Sequence, residues 1–401
     1  MKTRFYRKVL KNGMTIILER RSLPVVSVAF AVRNGGVNER EEEKGISHFI
    51  EHMLYKGTPT RDAKKIAEEI EKRGGELNGF TSEEITAYWC KMPSRHLNIA
   101  LDVLSDMIKN PLFDEKELEK ERNVIFEEIK MYHDNPRLHA MDEIQKLLYT
   151  GTMKINLAGT FNTMNSISRD KIIKKFSQVY TPNNLILCVV GDADFNSLIK
   201  FAENSFGKSK SIVPLEKFVF ENGSKVEERV GIDQASLIFA YHVPTAIDKK
   251  SYSAIVLNSL MADGMSSRLF SEIREKRNLA YAVKGDSNIN KNFAYNLVYV
   301  GTMKENIEKV KKLIIEEFGK VATSLGEEEI KQIKEKLISN YQISMEDSQQ
   351  QMINLLSSEV YGNAKEFYDF EKNILQVKLA EVKQLALEAK KNYSFFALIP
   401  R

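Results

Sequence analysis

Cysteine is nearly absent. Only Cys90 and Cys188 occur in 401 residues, both inside apolar strand-like segments, so no disulfide framework is expected. Proline (9) and glycine (20) fall below average usage, which argues against long disordered or low-complexity stretches. Long apolar runs are missing too. The longest, Val25–Val32 and Leu185–Val190, fall far short of the roughly 18 residues that a membrane span needs. Lys and Arg (59) barely exceed Asp and Glu (55), and a net charge of +4 gives no footprint for nucleic acid. The N-terminus carries charges but no apolar signal core behind them, so the expected address is the cytoplasm. What is present is a hydrophobic fraction of 43% and a charged fraction of 28%, the balance of a globular chain with ample core. At about 150 residues per domain, the length predicts two or three domains.

The chain opens as a hairpin, Arg4–Leu10 and Met14–Glu19, around Asn12-Gly13, read as the favoured two-residue turn. Val25–Val32 is a strand, helical spacing runs from Lys44 through His52 and again over Ala63–Lys72, and Leu77–Met92 reads as a strand pair. Helical stretches follow at Leu97–Lys109 and Glu115–Tyr132, then a buried strand at Asn184–Gly191. Much of this recurs about 209 residues later. Ala235–His242 mirrors Val25–Val32, with Phe30-Ala31 matched by Phe239-Ala240. Ser394–Ile399 matches Leu185–Val190, and Leu325–Gln342 matches Phe113–Met131. One nearly constant offset for strands and helix indicates duplication of a unit of about 200 residues. The expected fold class is therefore α+β, with two similar halves, each a mostly antiparallel sheet packed with helices. The halves are 1–210 and 226–401, joined by a linker at 211–225 within the polar stretch Ser205–Gly223. Charge runs such as Glu39–Lys44 and Glu327–Lys336 mix both signs and read as solvated helix faces.

Six histidines occur, two of them in His48-Phe49-Ile50-Glu51-His52. Positions i, i+3 and i+4 share one helical face, so both imidazoles and the carboxylate point the same way. Two histidines one turn apart can bind one zinc ion, and a carboxylate beside them can reach a water held there. This is the H-x-x-E-H arrangement of the inverzincins. The competing reading, two core histidines hydrogen-bonded separately, needs several partners where one cation satisfies all the groups. A third ligand is sought on the helix Glu115–Tyr132. Its phase groups Val124, Ile125 and Tyr132 with Glu128, and puts Glu121 on nearly the same line two turns earlier. Glu117 shares that line but sits in the first turn, where an acid suits the dipole. Glu127 lies at the edge of the face, and Glu119 opposite. Glu121 and Glu128 are thus the mid-helix acids turned inward, and Glu128 is the preferred ligand.

The stretches HFIEHMLYKGT, LNGFTSEEITAYW and ERNVIFEEI resemble the pitrilysin, insulin-degrading and mitochondrial processing peptidase family, as does SSRLFSEIREKRNLAYAV in the second half. The likeness runs over essentially the whole chain. In size and pattern it is most similar to the prokaryotic homologues of the processing peptidase catalytic subunit. The resemblance implies a zinc metalloendopeptidase acting on peptides or unfolded segments, with one Zn2+ per catalytic domain. His48 and His52 would be ligands, with Glu128, 76 residues beyond the second histidine, as the third. Glu51 would be the general base that activates a zinc-bound water, and Glu121 an auxiliary acid orienting a ligand histidine. Asn78-Gly79-Phe80 would be an edge strand to which an extended substrate adds itself. Arg274 and Tyr281 would hold the substrate carbonyl. Read without the resemblance, Leu77–Tyr88 is an ordinary strand, Arg274 an exposed helix charge and Tyr281 a core aromatic.

At the same offset His48, Glu51 and His52 become Leu257, Leu260 and Met261, and the counterpart of Glu128 falls within the acid-free Leu337–Asn340. The second half is therefore a degenerate copy. Two departures from the family pattern stand out: Asp263 replaces a usual glycine, and Thr150–Asn156 lacks a common His-Pro. The resemblance implies that chains of this size pair into a clam-shell. Because both the zinc motif and the Arg274/Tyr281 pair are present, a homodimer is the expected assembly. The alternative is a non-catalytic scaffold or partner subunit of a processing-peptidase-like complex, a class that loses ligands or base, all of which remain here.

Overall fold

The computed structural model describes residues 4–401. In the N-terminal half the strands of the main sheet are β1 (Arg4–Val9), β2 (Thr15–Arg20), β3 (Val25–Val32), β4 (Glu76–Thr81), β5 (Thr86–Pro93) and β6 (Leu185–Gly191). They form one sheet in the order β1-β2-β6-β3-β5-β4, in which only β2 and β6 run parallel. The first hairpin closes one residue wider than the two-residue turn expected. The Leu10 amide donates to the Met14 carbonyl at 2.8 Å and the Gly13 amide to that of Leu10 at 2.9 Å, leaving a three-residue loop that ends on glycine.

The helices that matter here are α1 (Ile46–Leu54), α2 (Leu97–Lys109), α3 (Glu115–Asp134), α4 (Pro136–Leu148), α5 (Ser251–Ala262), α6 (Glu327–Ser344) and α7 (Ser348–Tyr361). The second half has strands β7 (Ser224–Arg229), β8 (Ala235–His242), β9 (Ala280–Ile289), β10 (Ala294–Thr302) and β11 (Ser394–Pro400), in the order β9-β10-β8-β11-β7. Again a single pair, β7 with β11, is parallel. The two sheets thus repeat one topology. Phe30 and Phe239 occupy equivalent places on their central strands, and each is fully buried. The α+β duplication holds.

The compact units are not contiguous in sequence. One comprises residues 1–130, 155–217 and 344–367; the other 131–154, 218–343 and 368–401. Helix α4, from the N-terminal half, packs on β8 and β11 in the second unit. Helix α7, from the C-terminal half, packs on β3 and β6 in the first. The period-2 alternation of the strands explains why a helix is needed on that side. On β3, Val26, Val28, Phe30 and Val32 face the main core, leaving Ser27, Ala29 and Ala31 on the other face. Small residues there let α7 lie close, and with both faces covered the strand reads as one apolar run.

Helix α7 is fixed by polar contacts as well as packing. Its N-cap Asp347 accepts from the Gln350 amide at 2.8 Å and pairs with Lys91 at 2.6 Å. Ser348 and Ser27 share a hydroxyl hydrogen bond of 2.9 Å, and the Gln351 amide donates to Glu19 at 2.6 Å. Near its end, the buried Glu359 carboxylate receives Arg7 through two bonds of 2.7 and 2.8 Å, Arg33 at 2.8 Å and the Ala364 amide at 3.1 Å. Breaking a buried pair costs more than its presence contributes, because the remaining charges stay desolvated. Both arginines keep some solvent, which moderates that cost. Glu359→Gln should therefore lower stability by about 2–3 kcal/mol, read as a lower urea midpoint. An unchanged midpoint would show that packing alone holds α7.

Candidate active site

Helix α1 carries the H-x-x-E-H residues and is only nine residues long. Its N-terminus is capped from a distance: the buried Glu39 carboxylate accepts from the Gly45 amide at 2.9 Å and the Ser47 amide at 2.6 Å. Phe49, Ile50 and Met53 face the core, which turns His48, Glu51, His52 and Tyr55 to the opposite face.

Helix α3 supplies the acids, as its phase predicts. Glu128 Oε2 lies 3.5 Å from His48 Nε2 and 3.8 Å from His52 Nε2, and the two histidine nitrogens are 3.3 Å apart. For metal–ligand bonds of about 2.0–2.1 Å, the edge of a tetrahedron is about 3.3–3.4 Å. The three donors nearly form one face of such a figure, and their chemistry, two imidazoles and a carboxylate, fits zinc. Glu121 Oε2 accepts from His52 Nδ1 at 3.1 Å, fixing the ring so that Nε2 faces Glu128. Lys56 in turn holds Glu121 at 2.7 Å. His48 Nδ1, by contrast, is buried without a hydrogen bond among the described residues. Glu119 and Glu127 are exposed and pair with Arg122 and Lys130, as their phase requires. Val124 departs from the phase reading: it is exposed.

The titration behaviour follows from burial and charge. Burial, helped by His52, pushes the His48 imidazole down to about 3, so it stays neutral and able to donate a lone pair. Burial also favours neutral His52, but its hydrogen bond to Glu121 and the charges of Glu51, Glu128 and Glu121 outweigh that and raise its pKa. Glu51 is pushed up to about 7 by burial, partly offset by His52 and reinforced by Glu128. Burial raises Glu128, against the pull of His52. For Glu121 burial is outweighed by the bonds from His52 and Lys56, which lower it.

Strand β4 lies at the sheet edge, paired on one side only, by β5. Asn78 and Phe80 point to one face and Gly79 to the other, toward α1. A Cβ on Gly79 would meet the Tyr55 hydroxyl at 2.4 Å, the Ala87 carbonyl at 2.8 Å and Glu51 Oε1 at 3.1 Å, so only glycine lets the strand cross here.

In the second unit, Arg274 sits in a single π-helical turn, Phe270–Glu275, with its guanidinium over the rings of Phe270 (4.8 Å) and Tyr281 (5.5 Å). Tyr281 is not the core aromatic that its sequence context suggests. It is the extra residue of a β-bulge between Ala280 and Ala282, which turns it outward to 77% exposure. At the place equivalent to α1, helix α5 buries Leu257, Leu260 and Met261 in core. Asp263 takes ordinary extended backbone and pairs with Lys336 of α6 at 2.9 Å. His139, Glu143 and Glu227 also cluster in this unit, but Lys146, Lys225 and Arg229 already meet their charges, which makes the group an ion-pair network.

Fold and donor set together define a duplicated α+β chain with a candidate metal centre in one half. Residues 15–160 match the insulinase domain of peptidase family M16, and residues 166–337 match the peptidase M16 inactive domain. An uncharacterized zinc protease of Bacillus subtilis, YmxG, is 32% identical over 387 residues, covering 95% of this chain and 94% of its own. An uncharacterized zinc protease of Rickettsia felis is 32% identical over 358 residues, covering 86% and 85%. A crystal structure of a protease from Helicobacter pylori shares the fold at a TM-score of 0.92 and 22% identity, over 99% of this chain and 100% of that one. The chain belongs to peptidase family M16, a family of metallopeptidases.

A metal held by His52 would require it to lose a proton that Glu121 and its neighbours favour. In the metal-free protein, the raised His52 contributes stability that is present below about pH 6.5 and is lost as pH rises through the folded pKa. Affinity for zinc at this donor set would run the other way and weaken on acidification. Zinc uptake by the metal-free protein near neutral pH should therefore release up to about one proton, read by calorimetry in buffers of different ionisation enthalpy. Uptake with no proton release would contradict this account of His52.

Proposed function

We propose that the chain is a zinc-dependent metalloendopeptidase that hydrolyses peptide bonds in peptides or unfolded segments. The observation that carries this reading is the triangle of His48, His52 and Glu128, with edges of 3.3, 3.5 and 3.8 Å, on the same helical face as Glu51. His48, His52 and Glu128 would hold the ion. When bound, zinc would polarise the scissile carbonyl and acidify the attacking water. Glu51 takes the water proton and passes it to the leaving amine. A carboxyl poised near neutrality by burial suits both halves of that task. Glu121 keeps His52 in the tautomer that presents Nε2, and Lys56 keeps Glu121 ionised.

The substrate would lie as an added strand along the free edge of β4, hydrogen-bonding through Asn78, Gly79 and Phe80. Since β4 crosses α1 at Gly79, such a strand would be delivered beside Glu51. Arg274, half-buried, and Tyr281, exposed, lie against each other and would hold the substrate carbonyl as charge develops on it. In this reading residues 1–210 are the catalytic domain and 226–401 a degenerate copy that supplies the Arg/Tyr pair. The match to an inactive domain begins at residue 166, inside this proposed catalytic domain, and supports only the reading that the later part of the chain carries no catalytic centre of its own. The full set of His48, Glu51, His52 and Glu128 disfavours a purely scaffolding role. The assembly proposed is a cytoplasmic clam-shell homodimer.

On a random peptide library, the zinc-loaded protein should cut, and both a chelator and Glu51→Gln should reduce cutting at least about 100-fold. Equal cleavage by wild type and Glu51→Gln would sink the catalytic assignment. The dimer is tested by sedimentation and by mixing Arg274→Ala with His52→Ala subunits. Recovery of activity in the mixture means that one active site draws on two chains. A monomeric species with full activity would remove the homodimer.

A further inference from the structure

Tyr55 closes α1 one turn beyond Glu51, so the two side chains leave the same helical face. Its ring packs against Tyr88, centroids 6.0 Å apart. Tyr88 and Tyr180 share a hydroxyl–hydroxyl hydrogen bond of 2.6 Å, so those two phenols are committed to each other. The Tyr55 hydroxyl is buried and makes no hydrogen bond among the described residues. A buried donor with no acceptor is unfavourable, and cores seldom keep one without a use. Nor does any hydrogen bond reach the Glu51 carboxylate among the described residues, although that carboxylate is heavily desolvated. Beneath the bare Cα of Gly79, on the strand proposed to receive the substrate, the Tyr55 hydroxyl and Glu51 Oε1 converge on one spot.

We propose that Tyr55 is a positioning residue for Glu51: its phenolic O–H donates to one carboxylate oxygen of the ionised base and leaves the other oxygen aimed at the attacking water. The inference rests on the reading of Glu51 as general base. It supplies what that reading otherwise lacks, a donor that stabilises and orients a buried carboxylate in its charged form. It also assigns a chemical use to a hydroxyl that packing does not require, since phenylalanine would fill the same space against Tyr88. No covalent bond changes at Tyr55, because its proton stays on the phenol throughout. Seating a chain along β4 covers this spot and excludes water from it, which strengthens the hydrogen bond at the moment it is needed.

The test compares full-length, zinc-loaded wild type, Tyr55→Phe and Glu51→Gln on one fluorogenic peptide, with two further measurements on the same proteins. Tyr55→Phe should bind zinc as wild type does and keep KM within about twofold, while kcat falls about 10-fold or more. Its zinc-free form should melt no lower than wild type, because the substitution removes only an unpartnered buried hydroxyl. Peptide affinity measured in a Glu51→Gln background should not change when Tyr55→Phe is added. A Tyr55→Phe enzyme with wild-type kcat overturns the proposal. So does a raised KM or weakened peptide affinity at full kcat, which would make the hydroxyl a substrate contact. Loss of zinc or a lowered melting point would make its role structural and likewise overturn it. If wild type fails to cleave, or Glu51→Gln cleaves equally well, the reading of Glu51 falls first and the proposal falls with it. That outcome shows in the controls and not in the Tyr55 variant.

Discussion

A helix of nine residues is too short to be stable by itself in water, yet α1 presents His48, Glu51 and His52 together on one face. Everything around the candidate site serves that constraint. Glu39 closes the N-terminus by accepting two amides that no side chain within the helix could satisfy. Phe49, Ile50 and Met53 anchor the inner face. From the outer face, Glu121 grips His52 and is gripped by Lys56. Residues on three separate segments therefore hold the helix and fix the ring of His52. This is why a two-histidine motif with a carboxylate can be pre-set rather than assembled by the ion.

Much of this was legible in the sequence because it follows from periodicity. The 3.6-residue repeat turned Glu121 and Glu128 inward on α3 and left Glu119 and Glu127 outside. The central strands stood out as apolar runs because both of their faces are covered. Three things were out of reach. The exchange of α4 and α7 between the sequence halves depends on contacts hundreds of residues apart, such as Arg7 with Glu359, which no local pattern encodes. The exposure of Tyr281 comes from a bulge that adds one residue to a strand and so reverses the side chain's face, an event to which alternation is blind. Glu39 sits in a run of charges that reads as a solvated face, yet it is fully buried, because its partners are backbone amides six and eight residues ahead. Tyr55 and Lys56 did carry a signal, since both follow His52 within one helical turn and so border the motif.

Duplication with one degenerate copy has a straightforward energetic reading. Where α1 presents His48, Glu51 and His52, helix α5 presents Leu257, Leu260 and Met261, all buried. Burying three apolar side chains stabilises without further conditions, by roughly 1.5–3 kcal/mol each. Burying two imidazoles and a carboxylate is favourable only when every lone pair finds a partner. A repeat without the polar set can fill the same place with apolar core, and gains stability. The repeat that keeps the polar set also keeps the Glu39 cap and the Lys56–Glu121–His52 chain that such a set demands.

If a substrate adds to β4 as proposed, the crossing of β4 over α1 would join recognition to chemistry through one missing side chain. With no Cβ at position 79, the strand edge comes close enough to the helix for Glu51 and Tyr55 to lie directly under it. An extended chain bound by backbone hydrogen bonds needs no particular side chains for affinity, so its sequence would be read weakly at β4 itself. Such an edge fixes the position of the backbone along its length, and peptide hydrolysis needs the carbonyl placed, not the side chain. A strand added at this edge would bring each successive carbonyl past the same carboxylate. Flexibility of the substrate chain, more than its sequence, would then decide what can be cut.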